Sequence, residues 1–156
     1  MKHRLVVLVA DDDPNDRYLL QHAVRDGVPI DLHEVVDGAE LVEYLKGLHP
    51  FDNRSIYPFP DLVILDLKMP RQDGLQVLKW LRKQPEFRRL PTVMLSGSGL
   101  DEDVAAAYAL GVNSYFSKPN RHEELLSLMH LIIDYWSGAE RPASTLPAKA
   151  VLSGRI

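Results

Sequence analysis

Five short apolar runs punctuate the chain, at residues 5–10, 31–36, 62–67, 91–95 and 112–117. The first reads Leu-Val-Val-Leu-Val-Ala, and the third is broken only by Asp66. Continuous rather than alternating apolar runs of this length, rich in β-branched residues, predict strands covered on both faces. Between them the apolar spacing changes to the helical period. It predicts helices from Pro14 to a stop at Gly27, over 39–48, 74–84, 101–110 and 123–136. Asp13 before Pro14 reads as an N-cap followed by the first helical position, with Asp16 in the first turn. Gly27, Gly111 and Ser137-Gly138 read as helix stops.

Strict alternation of strand and helix predicts a parallel sheet with helices on both faces. Five strands fit a doubly wound, flavodoxin-like α/β fold of order 2-1-3-4-5 with five helices, whose switch point lies between the first and third strands. Residues 49–60 interrupt the pattern. They hold three prolines together with Phe51, Ile56, Tyr57 and Phe59, which predicts an ordered surface excursion rather than a flexible linker. One domain is expected over residues 1–138. Residues 139–156, rich in Pro, Ser, Ala and Lys without a period, are expected to form a loosely ordered tail.

The polar residues at the strand ends carry the chemistry. Asp11 and Asp12 close the first strand, Asp66 the third, Ser96 the fourth, and Lys118 follows the fifth. Ligands of such sheets bind outside the carboxyl ends of the strands. Singly, each residue has a plain explanation as a cap, a turn residue or a solvated side chain. Jointly they bring three acids, a hydroxyl and an ammonium to one edge. Clustered carboxylates repel unless a cation intervenes. Mg²⁺ suits few carboxylates and accepts phosphate oxygens, with Mn²⁺ as a possible substitute. One ammonium is too little to neutralise three acids, so Lys118 suits an incoming anion. Aspartate is a covalent acceptor in phosphoryl transfer, which gives Asp66 a role as nucleophile.

These residues stand in the segments Leu-Val-Ala-Asp11-Asp12-Asp13, Leu65-Asp66-Leu67-Lys68-Met69-Pro70 with Asp73-Gly74, Leu95-Ser96-Gly97 and Tyr115-Phe116-Ser117-Lys118-Pro119. In them the chain resembles the receiver domain of two-component response regulators, over about residues 4–137. The resemblance implies that Asp66 is the phosphoacceptor and that Asp11, Asp12, Asp66 and the backbone carbonyl of Lys68 hold Mg²⁺. It also implies that Lys118 binds the phosphoryl group, that Ser96 and Tyr115 form a switch pair, and that the Lys118–Pro119 bond is cis. The Asp-Asp-Asp-Pro-Asn-Asp start and the long loop before the third strand narrow the likeness to stand-alone receivers serving phytochrome-type and other sensor kinases. The implied partner is a sensor histidine kinase or phosphotransfer protein. Two alternatives differ in class. A pseudo-receiver would keep the fold as a binding module without phosphotransfer. A haloacid-dehalogenase-type phosphatase would need a second Asp two residues after Asp66, where Lys68 stands.

Composition narrows the picture further. No cysteine is present, which excludes thiolate metal sites and thiol nucleophiles. A net charge of −4 argues against general nucleic-acid binding. The run Lys79, Arg82, Lys83, Arg88, Arg89 is expected to be a solvated face. No apolar stretch approaches a membrane span, so a cytoplasmic protein is expected. The last helix is apolar nearly all round. Leu125, Met129, Ile132 and Trp136 suffice to cover the sheet, leaving Leu128, Leu131 and Tyr135, with Tyr108 and Leu110, as an expected homodimer face within residues 101–136.

Overall fold

Residues 4–142 are described by the structure, a computed structural model. Strands β1 (Leu5–Ala10), β2 (Ile30–Val35), β3 (Leu62–Leu65), β4 (Thr92–Ser96) and β5 (Ser114–Ser117) alternate with helices α1 (Pro14–Arg25), α2 (Gly38–Lys46), α3 (Gly74–Lys83), α4 (Asp101–Ala109) and α5 (His122–Gly138). All four strand pairings are parallel, in the order β2-β1-β3-β4-β5. The predicted flavodoxin-like fold is therefore the observed one. β1 and β3, on either side of the switch point, pair from Val7↔Leu62 to Ala10↔Leu65.

The period-2 geometry of a strand divides the core into two layers. Leu8 and Ala10 face Leu41, Tyr44 and Leu45 of α2 and Val77, Leu78 and Leu81 of α3. Leu5, Val7 and Val9 face Leu20 and Ala23 of α1 and Leu125, Met129, Ile132 and Ile133 of α5. Each fully buried Leu or Val contributes about 1.5–3 kcal/mol, which makes these four helices the anchors of the sheet. α4 buries only Ala107 completely. A helix with so few buried apolar contacts is free to shift at low cost.

The excursion before β3 is ordered, as its aromatic content predicted. Phe51 is buried, and its ring packs 5.2 Å from Tyr44 and 5.1 Å from Tyr57. Tyr44 donates its hydroxyl to the Pro58 carbonyl at 2.8 Å. Arg54 donates to the carbonyls of Leu45 and Tyr57, satisfying a carbonyl in the last turn of α2.

Three expectations need correction. β3 ends at Leu65, so Leu67 is no longer strand; the chain turns there, and Gly74 donates its N–H to the Leu67 carbonyl at 2.8 Å. Arg82 is not solvated. It donates to the carbonyls of Gly111 and Leu90 and to Asn113 Oδ1, tying α3 to the loops that precede β4 and β5, whereas Lys79, Lys83, Arg88 and Arg89 are exposed. On α5, Ile133 joins the buried face, Trp136 is half-buried against the core as expected, and Leu128, expected off that face, is half-buried against the core too. α5 ends at Gly138; the expected loose tail lies, from residue 143 onward, outside the described residues.

Candidate functional site

Three of the predicted site residues, Asp11, Asp66 and Lys118, each follow a strand directly and are fixed there by a backbone bond to a neighbouring strand. Asp11 follows β1 and donates its N–H to the Val35 carbonyl at 3.2 Å. Asp66 follows β3 and donates to the Ala10 carbonyl at 3.0 Å. Lys118 follows β5 and donates to the Ser96 carbonyl at 2.7 Å. Buried strands thus set the side chains of distant residues with the precision of the ladder. Gly74 completes the packing around Asp66. A Cβ there would lie 2.3 Å from the Asp66 carbonyl oxygen, an approach that only glycine permits.

The side chains converge on a cleft of about 850 Å³ whose walls include Asp12, Asp16, Asp66, Lys68, Ser96 and Lys118. Carboxylate oxygens of Asp11, Asp12 and Asp66 all lie within 4.8 Å of one another. Asp11 and Asp66 are buried, and Asp12 is exposed. Asp66 Oδ1 accepts the Leu67 N–H at 2.7 Å, and its Oδ2 accepts from Lys118 Nζ at 2.9 Å. Asp11 Oδ1 accepts the Asp13 N–H, and its Oδ2 also accepts from Lys118 Nζ at 2.9 Å.

The ammonium has a third partner. Lys118 Nζ lies 2.8 Å from Asp16 Oδ2, in the first turn of α1. Lys118, which the sequence suited to an incoming anion, here has its three protons matched by three carboxylates. Asp16 was read from the sequence only as a favourable charge at the helix N-terminus. Asp13 does cap α1, accepting the Asn15 N–H, so Asp16 is free for the lysine. The Lys118–Pro119 bond is also not cis; among the described residues the cis bond is His49–Pro50. Trans is the lower-energy isomer, and the Lys118 N–H bond to Ser96 already fixes this loop on β4.

Burial disfavours the ionised Asp11 carboxyl and pushes it up to about 6, against the opposing pull of the Asp13 N–H and the Lys118 ammonium. For Lys118 burial acts downward, but its bonds to Asp16, Asp66 and Asp11 outweigh it and leave the ammonium more firmly protonated than usual.

Ser96 and Tyr115 meet at Ser98. Ser96 Oγ, buried, accepts the Ser98 N–H at 3.2 Å, and the Tyr115 hydroxyl donates to the Ser98 carbonyl at 2.7 Å. Ser98 Oγ in turn donates to Asp103 of α4. The pattern Ser96-Gly97-Ser98-Gly99 reads as turn chemistry, and it is the bond from Tyr115, 17 residues on, that singles out Ser98.

The acidic set fits a hard divalent cation. Three carboxylates gather in a space where one lysine cannot balance them, at the mouth of a polar cleft. Comparison with known proteins points the same way. The description "Response regulator receiver domain" fits residues 7–130. Response regulator Rcp1 of Synechocystis sp. is 32% identical over 134 residues, covering 84% of this chain and 88% of Rcp1. The phosphorylated cyanobacterial phytochrome response regulator RcpA superposes with a TM-score of 0.83 at 31% identity, covering 90% of this chain and all of RcpA. The Mn²⁺-bound form of Rcp1 superposes with a TM-score of 0.80 at 30% identity, covering 89% of this chain and 99% of that one. Family match, full-length structural likeness and a strand-end acid cluster converge on one conclusion: this chain belongs to the response regulator receiver domains of two-component signalling, homologous to the stand-alone regulators of phytochromes.

Proposed function

We propose that Asp66 accepts a phosphoryl group from a phosphohistidine of a sensor histidine kinase or phosphotransfer protein, in the cytoplasm, and that a phytochrome-type kinase is the donor. One observation carries this assignment. Asp66 is a buried carboxylate that opens onto the cleft, with Lys118 Nζ at 2.9 Å and two further acids clustered beside it. In the transfer, an Asp66 carboxylate oxygen bonds to phosphorus as the P–N bond breaks, and the electron pair returns to the donor imidazole. Lys118 turns part of its hydrogen bonding from the carboxylates to a phosphoryl oxygen. The Ser96 hydroxyl donates to another. Asp11, Asp12, Asp66 and the Lys68 backbone carbonyl would hold Mg²⁺, and Mn²⁺ would serve in its place. When bound, Mg²⁺ offsets the negative charge of the acids and the phosphoryl oxygens.

As the Ser96 hydroxyl turns inward it releases the Ser98 N–H. Tyr115, bonded to the carbonyl of the same Ser98, then repositions with the α4 segment, which is the least anchored helix. The domain over residues 1–138 promotes only its own phosphorylation and dephosphorylation. Acetyl phosphate with Mg²⁺ is expected to add one phosphoryl group per chain by intact mass, and none in EDTA. Continued turnover of a phosphomonoester would instead indicate a phosphatase. A protein that stays unlabelled with both small and kinase donors would be a pseudo-receiver.

Output is proposed to pass through protein contacts, including a homodimer built on residues 101–136. Tyr108, Leu131 and Tyr135 are 50%, 60% and 65% exposed. Leu131 and Tyr135 border an apolar groove of about 310 Å³ with Phe116 and Trp136. Exposed apolar area of this kind favours self-complementary pairing. Sedimentation equilibrium is expected to show a dimer that strengthens with acetyl phosphate and is lost in Leu131→Arg. Leu131 is the informative position, since Leu128 of the expected face packs against the core. A monomer in both states at tens of micromolar would remove the dimeric role.

A further inference from the structure

Arg71 stands apart from the acid cluster, yet its backbone is unusual. It has φ 64°, and among the described residues it is the non-glycine residue with positive φ. The left-handed region is costly for a side chain with a Cβ and persists only where the surroundings impose it. Here they do. Arg71 Nε donates to Asp37 Oδ2 at 2.7 Å and Nη2 to Asp37 Oδ1 at 2.9 Å, a bidentate fork. Asp37 is buried and already caps α2, where its Oδ1 accepts the Glu40 N–H at 2.8 Å.

Beside the fork, the Gly38 N–H donates to the Gln72 carbonyl at 3.1 Å. A Cβ on Gly38 would fall 2.2 Å from that oxygen, so the α2 terminus and the β3–α3 loop are in direct backbone contact. The other end of the loop is closed by the Gly74 N–H on the Leu67 carbonyl, with Gly74 packed against the Asp66 carbonyl. Lys68 lies between these two clamps and borders the cleft. The loop that carries Asp66 and Lys68 is therefore held from outside the site by the N-terminus of α2.

We propose that Arg71, locked onto Asp37, is a positioning residue that fixes the β3–α3 loop so that Asp66 and the Lys68 carbonyl are preset for a divalent cation and a phosphoryl group. The proposal rests on the roles assigned above to Asp66 and Lys68. Arg71 touches neither the cation nor the phosphoryl group and acts through the loop backbone. Outer partners of this kind typically change metal affinity by about 10–100-fold.

Two variants separate the fork from the strain. Arg71→Gly removes the fork and also removes the backbone strain, so its folding is spared. Asp37→Asn keeps a good helix cap but removes the charge that holds the guanidinium. In both, the Mg²⁺ dissociation constant measured by calorimetry is expected to rise about tenfold. Labelling by acetyl phosphate should slow at low Mg²⁺ and recover at saturating Mg²⁺, while the melting temperature in EDTA changes little in Arg71→Gly. The double variant should be no worse than either single one, because both break the same contact. Wild-type affinity and labelling in both variants, or additive losses in the double variant, would overturn the latch. Wild-type protein that neither binds Mg²⁺ nor takes a phosphoryl group would overturn the assignment of Asp66, and this inference with it.

Discussion

Asp66→Asn is expected to abolish labelling by acetyl phosphate and by a histidine kinase while leaving the fold intact. Asn has nearly the same shape, and its side-chain oxygen can still accept the Leu67 N–H that Asp66 Oδ1 accepts at 2.7 Å. An amide oxygen, however, is a poor nucleophile, and the charge that balances Lys118 is reduced. The outcome is informative because other acids lie nearby. Asp11 has its Oδ1 engaged by the Asp13 N–H and its Oδ2 by Lys118, and it is buried to 4% exposure. Asp16 is held by Lys118 on the first turn of α1. Asp66 alone combines burial with a place in the cleft wall beside both Lys118 and Ser96. Intact mass and circular dichroism of the variant decide the matter. A folded Asp66→Asn that still gains a phosphoryl group would move the acceptor to another acid of the cluster.

Affinity for Mg²⁺ is expected to fall by about tenfold between pH 8 and pH 5. Asp11 must be ionised to serve the cation, and burial holds its carboxyl at about 6 rather than its ordinary 3.8. At pH 5 roughly one such carboxyl in ten is ionised, which sets the size of the effect. The sign for stability follows from the same shift. A carboxyl raised on folding contributes stability below its unfolded value, and that contribution is lost as pH rises through about 6. The full shift corresponds to about 3 kcal/mol. Lys118 has the same sign in a higher pH window. Its raised value contributes stability that is present below its unfolded pKa and persists through neutral pH. Asp11→Asn should therefore gain about 1–2 kcal/mol in EDTA at pH 7.5, less than the full shift because Lys118 loses an anionic partner, and gain nothing at pH 4. Calorimetric titration at two pH values, with urea melts of both proteins, checks it. Equal Mg²⁺ affinity at pH 5 and pH 8 would rule out Asp11 as a ligand that protons compete for.

The residue pattern alone sets the alternation of buried strands and amphipathic helices, and hence the parallel 2-1-3-4-5 sheet. Apolar periodicity and cap chemistry are local, so the strand starts at Leu5 and Leu62, the Asp13-Pro14 helix start and the stop at Gly138 could be read directly, although β3 ends at Leu65 rather than at Leu67. The site was legible for a related reason. In a parallel sheet all carboxyl ends lie on one edge, so Asp11, Asp12, Asp66, Ser96 and Lys118 had to converge once the strands were known. The long excursion before β3 could be read as ordered because its aromatic residues demand burial. Which polar groups pair was settled by the packing of the elements in three dimensions. Lys118 reaches Asp16 as well as Asp11 and Asp66, and Arg71 reaches back to Asp37 across α2. Arg82 left the solvated face it was expected to join, and Ser98 became the point where Ser96 and Tyr115 meet. Most of these pairings join residues far apart in the chain. A polar side chain has several acceptable partners, and no local period chooses among them; packing of the helices on the sheet does.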